Sequence, residues 1–249
     1  MQMGNNGFIW FMGFVENIHD PEKLGRVQVR MIGLSINVPT DHLHWANVAM
    51  PASSASHQGV GQSPNGLTEG SMVMGFFLDG EDMQQPKVLF SWHGIGDVSG
   101  FATGEKAIQK GDDVTGEPPN PAKPSYPHNK TMTTASGHVI EMDDTPGAER
   151  LHVYHKSGSY SEIDGSGNRV DKTTGNHFMI DLANSKVYVK GEYAIQAEGS
   201  INILSNGPTQ ISGNEIKVSS DTSIAITAGP KATIHAPSVL INGRPPLLI

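Results

Sequence analysis

Apolar and polar residues alternate along most of this chain, densely at the start and sparsely at the end. Phe8 to Val15 is an apolar run of strand length, and Asp20-Pro21 marks a turn after it. Val27, Val29 and Met31 then alternate with Gln28, Arg30 and Ile32, mostly the period of two of a half-buried strand. Segments 44–50, 71–78 and 87–92 are further candidates. About five short strands between Gly, Pro, Ser and Asn turns predict a small Greek-key barrel of the OB type. A short sandwich is the alternative that the pattern leaves open.

The pattern breaks at 96–128, where Gly100, Gly104, Gly111, Gly116, Pro118, Pro119, Pro121, Pro124 and Pro127 stand among few apolar residues. This reads as a linker or extended arm, too short to hold a catalytic domain. Alternation resumes at 138–142, 150–155, 160–164 and 177–182, punctuated by Pro146-Gly147, Gly158 and the turn 164–168.

A repeat follows. Val187, Ile195, Ile203 and Ile211 step by eight, with Val189 two positions on from the first. After a phase shift near Gly213-Asn214, Ile216, Ile224, Ala232 and Leu240 step by eight again, beside Val218, Ile226 and Ile234. One apolar pair per octad describes one short strand with one buried face, then a turn. Such a strand cannot close a core alone. Three copies wound round one axis can, each chain supplying one face of a triangular prism and no long edge staying open. A single-chain solenoid is the competing reading, but its coils need about 18 or more residues per turn. The expected fold is therefore all-β: an OB barrel over 1–98, a linker over 99–130, a β-rich neck over 131–185, and an intertwined triple-stranded β-helix over 186–249. Its trimer core is Val187, Val189, Ile195, Ile203, Ile211, Ile216, Val218, Ile224, Ile226, Ile234 and Leu240.

Composition narrows the chemistry. There are 29 glycines and 16 prolines in 249 residues, and charged residues make up 17%, a turn-rich and β-leaning balance. The net charge of −8 argues against nucleic acid as a partner, because phosphates demand clustered Lys and Arg. Cys is absent, which excludes disulfides, zinc-thiolate sites and a Cys nucleophile. No apolar run approaches the ~20 residues of a membrane-spanning helix. Met1 to Trp10 has no basic stretch ahead of an apolar one, so no signal peptide is expected. His42 and His44 have the i, i+2 spacing of a strand metal chelate, but an exposed His pair is the simpler reading. His235 follows an inward Ile234 and is expected outward. Asp143 and Asp144 with His152 and His155 make a formal acid–base set, but with no nucleophile signal beside it. No catalytic residue, cofactor or metal is expected.

Three blocks carry a family resemblance. The first is Trp10-Phe11-Met12-Gly13-Phe14-Val15-Glu16, Asp20-Pro21-Glu22-Lys23-Leu24-Gly25-Arg26-Val27-Gln28-Val29-Arg30 and Gly33-Leu34, continued by Leu43-His44-Trp45-Ala46, Met50-Pro51, Gly59-Val60-Gly61 and Ser63-Pro64. It resembles the N-terminal OB domain of central spike proteins of contractile-tailed phages. The second is Asp144-Thr145-Pro146-Gly147-Ala148-Glu149-Arg150-Leu151-His152 with His155-Lys156-Ser157-Gly158-Ser159 and Glu162-Ile163-Asp164. It resembles the neck region shared with type VI secretion spikes, and the octads are similar to the β-helix of the same group.

The resemblance implies a mechanical role. A homotrimer sits at the centre of the baseplate of the virion, joins a hub protein above, and is driven through the host cell envelope on contraction. Some members carry a muramidase domain between barrel and helix, for which segment 96–128 leaves no room. Type VI spikes carry a large hub portion ahead of the barrel, whereas here the barrel motif starts near residue 8, which favours the phage reading. Arg26 and Arg30 are candidates for hub contact. Pro245, Pro246, Leu247, Leu248 and Ile249 either plug the prism end or form an apolar platform for a conical tip protein. A trimeric glycan- or receptor-binding fibre is a lower-ranked alternative, since only 6% of residues are aromatic. A hydrolase ranks below it.

Overall fold

The computed structural model describes residues 7–58, 60–62, 65–93, 124–229 and 231–237. The first five strands are β1 (Ile9–Asn17), β2 (Val27–Met31), β3 (Trp45–Val48), β4 (Met72–Phe77) and β5 (Pro86–Trp92). They close into a barrel in the order β1-β2-β3-β5-β4, with β4 returning to β1. The β3–β5 pair is parallel and the others are antiparallel. Closure and this strand order decide for the OB barrel over the sandwich. Every second residue points inward, so Phe11, Val15, Val27, Val29, Met31, Ala46, Val73, Phe77 and Val88 form one core.

Two glycines let the barrel walls approach. At Gly75 on β4 a Cβ would overlap the Lys87 carbonyl oxygen and lie 2.8 Å from Phe11 Cζ. At Gly13 on β1 it would overlap the Arg30 carbonyl and lie 2.7 Å from Val29 Cγ1. The blocking atoms at both sites include backbone, which cannot rotate away. Gly75→Ala is therefore expected to destabilise the barrel by about 1–3 kcal/mol or more, as overpacking does. All three tryptophans (Trp10, Trp45, Trp92) lie in barrel strands, so their fluorescence through a urea titration reads this loss directly. An unchanged midpoint would show that the walls give way.

The second sheet is a meander of β6 (Asn129–Thr133), β7 (Val139–Asp143), β8 (Arg150–Tyr154), β9 (Tyr160–Ile163) and β10 (Arg169–Lys172). Each strand pairs antiparallel with its sequence neighbour. Three of the four expected neck strands are found, but 177–182 is not a strand. The meander instead ends on β10, which the turn at Asp164–Asn168 folds back onto β9. It also begins at Asn129, inside the stretch read as linker. Phe178, Met179 and Ile180 are strongly exposed, and residues 177–181 pair with no strand among the described residues of this unit.

Residues 182–249 form a separate unit. No strand is assigned among its described residues. Val187, Val189, Ile195, Ile203, Ile211, Ile216, Val218, Ile224, Ile226 and Ile234 are all exposed, from 44% to 83%. Leu240 and the segment Pro245, Pro246, Leu247, Leu248, Ile249 lie outside the described residues.

Candidate functional site

Strict alternation leaves the barrel with an apolar outer face as well as an apolar core. Register places Phe14, Met72 and Trp92 in one row across β1, β4 and β5, and Met12, Met74 and Phe90 in the next. Trp10 and Phe76 stand opposite each other in a third row that ends on Lys87. The Trp10 and Phe76 rings are 5.5 Å apart, and Phe8 lies 4.5 Å from Phe76. Trp10, Met12, Phe14, Phe90 and Trp92 are exposed. A contiguous aromatic and methionine surface of this kind marks an interaction face.

Arg26 and Arg30 are each paired within the chain. Arg26 makes short bonds from Nη2 (2.7 Å) and Nε (3.1 Å) to Asp20. The same carboxylate accepts the backbone N–H groups of Glu22, Leu24 and Arg26, so Asp20 organises the whole turn at 20–26. The Arg26 side chain bonds to Asp20 hold the carboxyl pKa far below its usual range, against the upward push of burial. Arg30 forms a bidentate pair with Glu16, both bonds 2.6 Å, and donates to the carbonyls of Ser35 and Val38. Both guanidiniums thus tie their own loops to the barrel.

The neck sheet has two unlike faces. One carries Met132, Ile140, Met142, Leu151, Val153 and Ile163, all exposed. The other buries Asn129, Glu141, Asp143, Arg150, His152 and Glu162. Arg150 on β8 is the hub of this charged face. Its Nη2 lies 2.6 Å from Glu141 Oε2 on β7, and its Nη1 donates to Glu162 Oε2 on β9 at 3.1 Å. His152 Nδ1 meets the same Glu162 oxygen at 2.8 Å. Asn129 Nδ2 donates to Glu141 Oε1 at 2.6 Å, which brings β6 into the network. Tyr154 and Tyr160 stack on the His152 ring. Four strands are thus joined by side chains as well as by backbone.

Burial pushes the Glu162 carboxyl up, but its bonds to His152 and Arg150 outweigh this and leave its pKa below the ordinary 4.5. A lowered folded value means that the ionised form supports the fold. That support is complete above the unfolded value near 4.5 and disappears as pH falls through the folded one. Amide exchange of residues 129–172 is expected to accelerate as pH is lowered below about 4.5, after correction for intrinsic exchange. Glu162→Gln is expected to flatten that extra loss; an identical profile would remove Glu162 as its source.

The sequence-derived acid–base set is not assembled. Asp143 accepts the Thr145 N–H and hydroxyl, while Asp144 pairs with Lys130 at the surface. His152 is buried against Glu162, and His155 bonds Ser157 in an exposed turn. His42 ends a short 3-10 turn, and His42, His44 and His235 are exposed. Glu141 and Glu162 were not singled out as site residues from the sequence. Their signal is the alternation itself, Glu141 with Asp143 and Arg150 with His152, which marks a polar face without saying that it is buried.

Barrel, exposed aromatic face and meander together define a class: an OB-barrel protein that carries a second, five-stranded antiparallel sheet. Residues 25–138 match the family described as the Gp5 N-terminal OB domain. The similarity to that family is carried by the barrel and the stretch after it; β1 closes the same barrel from just ahead of the matched residues. It is 30% identical, over 80% of its length, to Protein Gp5 of Vibrio phage KVP40, of which the match covers 65%. It is 43% identical, over 32% of its length, to the pre-baseplate central spike protein Gp5 of Enterobacteria phage T4, of which the match covers 15%. The chain therefore spans less than two thirds of either relative.

Proposed function

We propose that this protein is the homotrimeric central spike of a phage tail baseplate, a structural piercing protein without enzymatic activity. Its place in the virion would be between the tail hub and the host cell envelope. The similarity to Gp5 proteins supports the baseplate role. The observation that carries the trimer is the pair of apolar surfaces left bare in one chain: the outer rows of the neck sheet and the octad residues beyond it. A single domain rarely leaves so much aliphatic surface in water. Three copies meeting through those rows would bury them together and give each octad strand a neighbour on both sides. A closed prism of interchain strands resists bending, because no strand leaves without breaking pairs to two other chains.

In this reading the hub protein meets the Trp10–Phe76–Phe90–Trp92 face of the barrel, with Arg26 and Arg30 as further candidates for hub contact. The segment Pro245 to Ile249, outside the described residues, either plugs the prism end or offers an apolar platform to a conical tip protein. Light scattering of the purified chain, with gel electrophoresis in unheated SDS, tests the proposal. A mass of three protomers that survives cold SDS is expected. A stable monomer at micromolar concentration would overturn it.

A further inference from the structure

We propose that the neck sheet of residues 129–172 folds inside each single chain and then seeds the trimer, the octads pairing only afterwards. This rests on the trimeric reading above. Within the neck, every strand pairs with its sequence neighbour of the same chain. The charged network is equally internal: Arg150 reaches Glu141 and Glu162, His152 reaches Glu162, and Asn129 reaches Glu141. The backbone pairs and the charged network of that sheet are complete within one chain, and only its aliphatic outer face is left for other copies. The described residues beyond Lys172 hold no strand pair at all, and their octad side chains are bare.

The two regions therefore differ in what closes them. Neighbouring hairpins close short loops at small entropic cost, whereas an octad strand needs a second and third chain in register. The charged face adds direction. A one-residue slip of β8 against β7 would turn Arg150 and His152 to the apolar side and strand Glu141. With the register held, Ile140, Met142, Leu151 and Val153 all face outward on one surface. Three such surfaces meeting fix a common starting register for the repeats that follow in the chain.

Refolding the full-length chain from denaturant, with pulsed amide exchange read by mass spectrometry, tests the order. Amides of 129–172 should gain protection first, at a rate independent of chain concentration. Those of 187–234 should follow, with SDS-resistant trimer, at a rate that falls on dilution. Protection of the octads before or together with the neck would overturn the proposal, as would a neck rate that scales with concentration. Arg150→Met should delay trimer formation by at least about tenfold, since disrupting a nucleus slows folding, with barrel tryptophan fluorescence unchanged. Assembly of that variant at the wild-type rate would also overturn it. A final mass of one protomer would instead refute the trimer itself, whatever the order of protection.

Discussion

Ile224→Asp is expected to abolish assembly. If the octads share a core, the substitution places three carboxylates side by side near the axis, in a space lined by Ile216, Val218, Ile226 and their copies. Each loses its hydration with no counter-charge, and each repels the other two. Neutralising them by proton uptake costs further free energy at neutral pH, so the trimer should not form. The neighbouring Ala225, one position out of phase, provides the control. Ala225→Asp should assemble normally, because alternation turns it toward solvent. Light scattering separates the outcomes. A normal trimer from Ile224→Asp combined with failure of Ala225→Asp would mean that the inward phase of the octads is the opposite one.

Arg150→Met is expected to destabilise the neck sheet by about 3–5 kcal/mol, the cost of leaving a buried charge without its partner. The Glu141 and Glu162 side chains are 0% and 8% exposed, so water cannot replace the lost guanidinium. Amide exchange across residues 129–172 in the purified protein measures the loss. Adding Glu141→Gln and Glu162→Gln to Arg150→Met should restore much of it. The damage comes from the stranded charges more than from the missing contacts. If the triple variant is no better than the single one, packing by the arginine stem is the larger contribution.

The barrel was legible from the chain because its strands are short, alternating and bounded by turn residues. All five expected strands appear within a residue or two of their expected ends. In the neck, strands at 138–142, 150–155 and 160–164 were equally legible. The strand expected at 177–182 was not found there, β6 (Asn129–Thr133) was not expected, and β10 (Arg169–Lys172) was missed. Its Arg-Val-Asp-Lys sequence carries one apolar residue, and only the fold-back at Asp164–Asn168 gives it a partner. Arg26 and Arg30 were read as candidates for hub contact, with Arg26 also grouped with Asp20 in the turn. Their partners are Asp20 and Glu16, six and fourteen residues away, and only the strand register brings Glu16 to Arg30.

From the sequence alone came the all-β character, the OB strands and the octad period. These depend on local propensity and on a period of two, which need no knowledge of distant contacts. Tertiary structure decided three further points. It closed the five strands into a barrel through the parallel β3–β5 pair. It gave that barrel an aromatic outer face by placing Trp10, Phe76, Phe90 and Trp92 on adjoining strands. It also chose which face of the neck is buried. Alternation supplies two faces and is silent about which one turns inward. Arg150, bonded to carboxylates on the strands at either side, closes the charged face within the chain and leaves the aliphatic one outside.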